Sequence, residues 1–208
     1  MRCLLKTLLI FAGITAFVLS QSCSSSTIKD DELSSFMLGG IYFVNGYGGI
    51  DATKQMISGA GYTTNEEIVE GYREIFIFPF DVSQKNDIRG VLKSWWDITN
   101  KESLLEQSEE LKTRDYTYKA WDYARLVNNA ALGYAAEYLT KEEATEMVKE
   151  VLPLAREKYK TWEEYYADFN SGRQEWDPEN DETAEFESLA NEITKGDDSI
   201  YTILPLHN

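Results

Sequence analysis

One long apolar stretch constrains the fold more than any other feature of this chain. Residues 118–139 read YKAWDYARLVNNAALGYAAEYL, and after Lys119 their only charged side chains are Asp122, Arg125 and Glu137. A helix without a polar face is stable only when neighbouring helices cover it on all sides. At 1.5 Å per residue this segment would extend over roughly 33 Å, the width of a small domain. The sequence therefore predicts an all-α fold, a compact bundle of about seven or eight helices around this buried central helix.

Four Thr/Glu pairs predict where other helices begin. In a capping box the Thr side chain accepts a hydrogen bond from the backbone N–H three residues on, and the Glu side chain accepts one from the Thr backbone N–H. This spacing occurs at Thr64/Glu67, Thr99/Glu102, Thr140/Glu143 and Thr161/Glu164.

The remaining helical segments follow from periodicity and from helix breakers. Helices are predicted at about 84–97 and 181–195, the latter ending at Gly196. Pro153 should kink or divide the helix that starts at Thr140. The apolar run Ile75–Phe78 fits the end of a helix or a short buried strand, and periodicity does not separate the two. The apolar C-terminal segment IYTILPLHN is expected to pack back onto the bundle.

The N-terminus has the features of an export signal. Arg2 and Lys6 precede an apolar run at 7–19 that is too short to span a bilayer comfortably. The sequence around Cys23 resembles a bacterial lipoprotein signal, in which this Cys becomes the lipid-modified N-terminus. The prediction is a signal peptide at 1–22 and lipidation at Cys23. The alternatives are an ordinary cleaved signal and an uncleaved anchor.

A flexible tether is predicted at 23–32, followed by a single helical domain at 33–208. The tether contains a Ser-rich run and then Lys29-Asp30-Asp31-Glu32. This acidic run is interpreted as a solvated linker, with a signal for export to the cell surface as the alternative. We expect lipid anchoring through Cys23 to place the domain in the bacterial envelope, at the outer membrane, on its periplasmic or surface face.

The net charge narrows the choice of partners. The formal charge is −16 for the whole chain, and loss of Arg2 and Lys6 with the signal peptide takes it to −18. Nucleic acids and anionic lipids repel such a chain, because binding either requires a positive field. A basic protein partner or a cation remains compatible with this charge.

Several motifs in order along the chain resemble one family. They are 95–98 (WWDI), 121–128 (WDYARLVN), 133–134 (GY), 136–138 (AEY), 140–144 (TKEEA), 162–165 (WEEY), 172–173 (GR) and Trp176. Together these motifs, from about Trp95 to Trp176, resemble the domain of unknown function 1266 family. The resemblance implies a helical architecture and no known activity.

A polar stripe lies on the apolar central helix. Asp122, Arg125 and Asn129 are three, four and seven residues apart, so they share one helix face. Buried charges must be paired or they are costly. One interpretation is a catalytic or ligand-binding carboxylate. The favoured interpretation is a structural link to the segment 162–176, where Glu163, Glu164 and Arg173 are possible partners. The predicted buried network contains Asp122, Arg125, Asn129 and Arg173.

The inventory of reactive groups is small. His207 is the only histidine and lies beside the C-terminus, which excludes His-based triads and zinc or di-iron sites on helices. An enzyme would depend on carboxylates, with Asp122 and Glu163 as weak candidates. The acidic loop 177–181 resembles a calcium loop but has Glu182 where Gly is required, so no metal is predicted. No cofactor is predicted either.

The sequence thus favours a non-enzymatic, membrane-tethered helical domain that binds a protein or a small ligand. One alternative is a carboxylate-dependent hydrolase of envelope glycans. Another is a neutralising partner of a basic toxin, suggested by the charge. A groove lined by aromatic side chains is a further option, but their helical spacing favours a role in the core.

Overall fold

The computed structural model describes residues 28–207. Over this range it contains eleven α-helices of seven or more residues, a final four-residue turn of helix and no strand. The all-α prediction is confirmed, with more helices than the seven or eight expected. The helices are α1 (Asp31–Met37), α2 (Gly40–Gly46), α3 (Ile50–Gly59), α4 (Asn65–Phe76), α5 (Lys85–Trp96), α6 (Lys101–Thr113), α7 (Lys119–Ala135), α8 (Lys141–Lys149), α9 (Val151–Lys158), α10 (Trp162–Trp176), α11 (Asp181–Ile193) and α12 (Ile200–Ile203).

The predicted central helix is α7, which is buried along most of its length. It ends at Ala135 rather than at Leu139, because Glu137 adopts a left-handed conformation with φ 57°. The N–H groups of Tyr138 and Glu137 donate to the carbonyls of Gly133 and Tyr134, both at 2.9 Å. This is the Schellman pattern that closes a helix, usually with Gly at the left-handed position.

The start of α7 is held by side chains from elsewhere in the chain. The N–H of Ala120 donates to the Asp168 carboxylate at 3.0 Å and to the Tyr159 hydroxyl at 2.9 Å. The Tyr159 hydroxyl in turn donates to Asp168 at 2.5 Å. Burial, followed by the bond to Asp168, raises the pKa of Tyr159. The start of α7 lacks a capping side chain of its own, so its free backbone N–H is bonded by side chains of α10 and of the segment before α10.

Two of the four predicted capping boxes form as expected. At the starts of α4 and α8, both reciprocal bonds of the Thr64/Glu67 and Thr140/Glu143 pairs are present. Glu67 accepts bonds from the backbone of Thr64 and Thr63, which lower its pKa to about 2.

The other two predicted boxes differ. The Thr99/Glu102 prediction is wrong, because α6 is capped one residue later by Asn100 in a reciprocal pair with Ser103. Asn caps a helix at least as well as Thr. Thr161 does accept from the Glu164 N–H at 3.2 Å. The Glu164 carboxylate, however, accepts from the Lys160 N–H at 2.7 Å instead of accepting from the Thr161 N–H.

Local breaks explain the larger number of helices. Pro153 divides its segment as predicted, and α8 and α9 meet at Glu150. The segment 33–44 forms α1 and the start of α2, which separate at Gly39. A Cβ on Gly39 would lie 2.8 Å from a Val127 methyl carbon, so α7 packs directly against this break. The run Ile75–Phe78 forms no strand: α4 continues to Phe76, Ile77 is extended and Phe78 has φ 60°.

The acidic run before the predicted domain is part of the fold. Asp30 caps α1 by accepting from the Leu33 N–H at 2.9 Å, and both Asp30 and Glu32 pair with Arg73 of α4 at 2.6 Å. Asp31 pairs with Arg156 of α9 at 2.7 Å. The interpretation of Asp30, Asp31 and Glu32 as tether is therefore wrong, because their carboxylates find cationic partners on the bundle. The predicted signal peptide and Cys23 lie outside the described residues.

The core is built where α6, α8 and α10 pack around α7. Helix α10 contributes the fully buried Trp162, Tyr165 and Tyr166. The Trp162 indole donates to the Leu204 carbonyl at 2.8 Å, which holds the apolar C-terminal segment on the bundle as predicted. Over residues 28–207, none of the helices combines the length and the apolar character that a membrane span needs.

Candidate functional site

The conspicuous polar site in the core is an ion cluster around Asp122, which is fully buried. Its Oδ1 accepts from Nη2 of Arg114 and from Nη2 of Arg125, both at 2.5 Å. Its Oδ2 accepts from Nε of Arg114 at 2.8 Å and from Nζ of Lys119 at 3.3 Å. We call these four residues the Asp122 cluster.

The cations of the Asp122 cluster also contact the surrounding structure. Lys119 donates to the Leu111 and Arg114 carbonyls at 2.8 and 3.1 Å, which ties the end of α6 to the start of α7. Burial lowers the pKa of Lys119, and the Asp122 carboxylate opposes this shift. The Arg125 guanidinium lies 3.5 Å from the ring centre of Trp121, and burial lowers its pKa in the same way. Three cations share one anion here, so the cluster has excess positive charge.

This geometry leaves Asp122 no means of attacking or protonating a substrate. A carboxylate offers about four lone-pair sites, and all four are filled by cationic donors. A general acid or base must come within hydrogen-bond reach of the reacting proton, but Asp122 has no exposed surface. The arrangement fits a structural role.

The other residues predicted for the network lie elsewhere. Asn129 is buried, but neither polar atom of its amide has a hydrogen-bond partner in the described part of the chain. Arg173 pairs with Glu182 of α11 at 3.2 Å and lies 4.1 Å from the ring centre of Phe186. The weak catalytic candidate Glu163 is exposed on α10.

The link between α7 and α10 therefore has a different chemistry from the predicted one. Glu163 and Glu164 are exposed and do not reach the Asp122 cluster, and the link runs through Asp168 and the Ala120 N–H instead. Lys119 was detectable from its spacing three residues before Asp122. Arg114 lies in the loop that follows α6, so no helical spacing in the sequence relates it to Asp122.

Metal-ligating groups do not converge within residues 28–207, where no set of three His, Cys, Asp or Glu side chains forms a potential site. In the acidic loop 177–181, Asn180 caps α11 by accepting from the Glu182 N–H at 2.9 Å. His207 is exposed, and its Nε2 lies 2.8 Å from the Tyr159 carbonyl oxygen.

A cleft of about 600 Å³ opens between α6 and α8. Apolar side chains form part of its lining, namely Leu105, Leu126, Leu139 and Met147, and five glutamates and two lysines surround them, namely Glu109, Glu142, Glu143, Glu146, Glu150, Lys101 and Lys112. We call this feature the α6–α8 cleft. Its volume falls within the usual range of ligand sites, roughly 300–1,000 Å³.

Ion pairs cross the α6–α8 cleft at both ends. Lys101 pairs with Glu143 where the two helices begin, and Lys112 pairs with Glu150 at 2.9 Å where they end. Helices α6 and α8 therefore run in the same direction. Lys101 lowers the pKa of Glu143, assisted by the Thr140 backbone. The Glu109 and Glu150 carboxylates, which accept hydrogen bonds from Lys112, raise the pKa of that lysine.

Two glutamates of the cleft form no ion pair and one serine hydroxyl forms no hydrogen bond within residues 28–207. Glu142 and Glu146 are exposed one helical turn apart on α8, and neither forms an ion pair within residues 28–207. Ser108 is buried on α6 and lines the cleft, and its hydroxyl has no hydrogen-bond partner among the residues that the structure describes. The Ser108 hydroxyl is buried beneath the cleft surface, so what the cleft presents to an occupant is the unpaired negative charge of the two glutamates.

Fold and site together define an acidic all-α domain with an ion cluster around a buried carboxylate and an open, partly apolar cleft on one side. Residues 108–206 match the sequence model of a protein family of unknown function (DUF1266). The match covers just under half of the chain, and over these residues it confirms the resemblance seen in the sequence. The match begins within α6, after the 95–98 motif, and extends past Trp176 to the C-terminal segment. Comparisons with curated proteins and with solved structures gave no match.

Proposed function

We propose that this protein is a lipid-anchored binding domain of the bacterial envelope that holds a basic partner protein in the α6–α8 cleft. The observation that carries the proposal is the pairing of an apolar lining with an acidic rim, on which Glu142 and Glu146 have no cation among residues 28–207. Apolar area supplies the free energy of association, while complementary charge steers the encounter and selects the partner.

The charge of the whole chain supports a basic partner. At a formal −16 the protein attracts cationic surfaces over several ångströms and repels anionic ones. A basic toxin is one partner of this chemistry, and the identity of the bound protein would distinguish neutralisation of a toxin from binding of an envelope component.

The alternative of a carboxylate-dependent glycan hydrolase gains no support from the geometry. Asp122 is buried with its oxygens occupied, and Glu163 lies on the exposed surface of α10. Glycosidases need two carboxyl groups flanking one scissile bond, and neither candidate offers the other such a position.

The test is capture of the partner from native membranes by the full-length protein. We would compare the natural protein with a Glu142→Lys/Glu146→Lys variant, which reverses the two unpaired charges of the cleft. The matched control is Glu66→Lys/Glu70→Lys, because these exposed glutamates have the same spacing and begin in the first turn of α4. We expect a stoichiometric basic protein with the natural chain and the control, and its loss with the cleft variant. Equal recovery by all three proteins would contradict the proposal.

The anchor is tested separately through Cys23. A Cys23→Ser variant should no longer incorporate a labelled fatty acid and should leave the membrane fraction. Retention of both label and membrane association would show that this residue is not the site of lipidation.

A further inference from the structure

The geometry of the α6–α8 cleft points to a specific kind of occupant: we infer that it receives a basic amphipathic α-helix of the partner protein. This inference rests on the proposed function and specifies the part of the partner that is bound. Four features of the cleft support it, namely its length, the spacing of its acids, the nature of its walls and the directions of its helices.

The length of the cleft matches a short helix. Its two bridging ion pairs involve Lys101 and Lys112, eleven residues apart on α6, so the α6 wall between them is about 17 Å long, and the shorter α8 wall between Glu143 and Glu150 is about 10 Å long. Three turns of an α-helix cover about 16 Å. The apolar face of such a helix would lie over Leu105 and Met147, between the two ion pairs.

The acids on the α8 rim have a helical spacing. Glu142 and Glu146 are four residues apart, which places their side chains about 6 Å from each other along one face. Cations three or four residues apart on a facing helix have the same separation. A partner helix with Lys or Arg at that spacing, beside an apolar stripe, therefore pairs with both glutamates at once.

The walls favour a helix over an extended peptide. Extended peptides usually bind by adding a strand to a sheet edge, where unpaired backbone groups are available. No strand occurs within residues 28–207, and the cleft is lined by side chains of helices whose backbone groups are bonded internally. A helical occupant needs no such backbone partners, because it satisfies its own.

The direction of the two wall helices sets a preferred orientation. Because α6 and α8 run the same way, their positive N-terminal ends lie together near Lys101 and their negative C-terminal ends near Lys112. An occupant helix is favoured in the opposite direction, with its N-terminus near Lys112. Its cations also compete with Lys101 and Lys112 for Glu143 and Glu150, so binding should weaken with salt.

The experiment uses a synthetic 15-residue Leu/Lys peptide with Leu at helical spacing, and a scrambled peptide of the same composition. Both are titrated into the full-length protein, into Glu142→Lys/Glu146→Lys and into the control Glu66→Lys/Glu70→Lys. We expect the amphipathic peptide to become helical on binding and to bind at least tenfold more tightly than the scrambled one. The advantage should persist in the control and disappear in the cleft variant.

Each other result contradicts the inference. Equal binding of the two peptides shows attraction by charge alone. If the cleft variant binds the amphipathic peptide as tightly as the natural protein does, the peptide binds elsewhere. If the peptide binds in the cleft without becoming helical, a helical occupant is excluded. A small cationic amphiphile that binds the cleft while the peptide does not identifies a small-molecule site. A nitroxide on the N-terminus of the peptide should broaden NMR signals near Lys112, and broadening near Lys101 reverses the orientation.

Failure here is distinguishable from failure of the proposed function. If capture from membranes depends on the cleft but the peptides do not differ, the helical occupant is wrong and the binding domain stands. If the amphipathic peptide binds in the cleft but capture from membranes does not depend on the cleft, the α6–α8 cleft is selective for helices and the proposed partner is wrong.

Discussion

The Asp122 cluster and the α6–α8 cleft both contain ion pairs that connect α6 to a neighbouring helix or loop, yet the two sets differ in exposure. Around Asp122, three cations fill both oxygens of a carboxylate with no exposed surface. Across the cleft, the side chains of Lys101 and Glu143 are 44% and 42% exposed. Burial makes the first set a fixed joint between α6 and α7, whereas exposure leaves the second set able to exchange partners.

The energetic contrast follows from solvation. Removing one partner of a buried ion pair leaves an uncompensated charge in a poorly solvated place, which is strongly destabilising. An exposed pair competes with water and salt, so its loss changes stability little. Substitutions in the Asp122 cluster should therefore lower the free energy of unfolding far more than substitutions in the α6–α8 cleft.

The largest effect is expected from Asp122→Ala, which leaves Arg114, Lys119 and Arg125 close together without an anion. The free energy of unfolding should fall by roughly 3–5 kcal/mol, measured by chemical denaturation. Glu150→Ala serves as the comparison in the cleft, since Lys112 keeps its bond to Glu109. An Asp122→Ala protein as stable as the natural one would show that the cluster is not a structural joint.

An intermediate effect is expected from Lys119→Met. The Leu111 and Arg114 carbonyls lose their donor at the end of α6, while Asp122 keeps two arginines. Loss of a charged donor to buried carbonyls predicts a decrease of about 1–3 kcal/mol in the free energy of unfolding. The control is Lys93→Met, an exposed lysine on α5. Equal unfolding midpoints for the two variants would contradict the role assigned to Lys119.

The smallest effect on stability is expected from Lys101→Met in the cleft, where the change should appear in a titration. Lys101 lowers the pKa of Glu143 below its ordinary 4.5. A lowered pKa in the folded state stabilises the fold above the unfolded pKa, and this contribution is lost as the pH falls through the folded pKa. Carboxylate NMR should show the pKa of Glu143 rising towards 4.5 in Lys101→Met. The same pKa in both proteins would show that the ion pair does not persist in solution.

Local signals in the sequence predicted much of the fold. The apolar stretch identified α7, the Thr64/Glu67 and Thr140/Glu143 pairs marked two helix starts, and Pro153 marked a division. These features depend on residues close together in the chain. The end of α7 was not predictable, because the residue in the left-handed conformation after the helix is Glu137, whereas Gly is the usual sequence signal at that position. Likewise Asn100 and Thr99 are both competent caps, and only the backbone geometry selects Asn100.

The sites were less predictable because they depend on tertiary packing. Asp122 and Arg125 are three residues apart on α7, and the structure joins them. Arg114 reaches Asp122 only because the loop after α6 folds back, and Arg173 is held by Glu182 instead. The α6–α8 cleft forms because two helices forty residues apart in the chain run side by side. No local sequence pattern predicts that packing.

The capped start of α7 also bears on how the chain folds. The Ala120 N–H donates to the carboxylate of Asp168, forty-eight residues further along the chain. The first turn of the central helix is therefore completed only when α10 has docked, so the two helices should form as one cooperative unit. Hydrogen exchange at the Ala120 amide would report this docking directly. Since residues 108–206 contain both partners, the region that matches the family also contains the contact that couples its two longest helices.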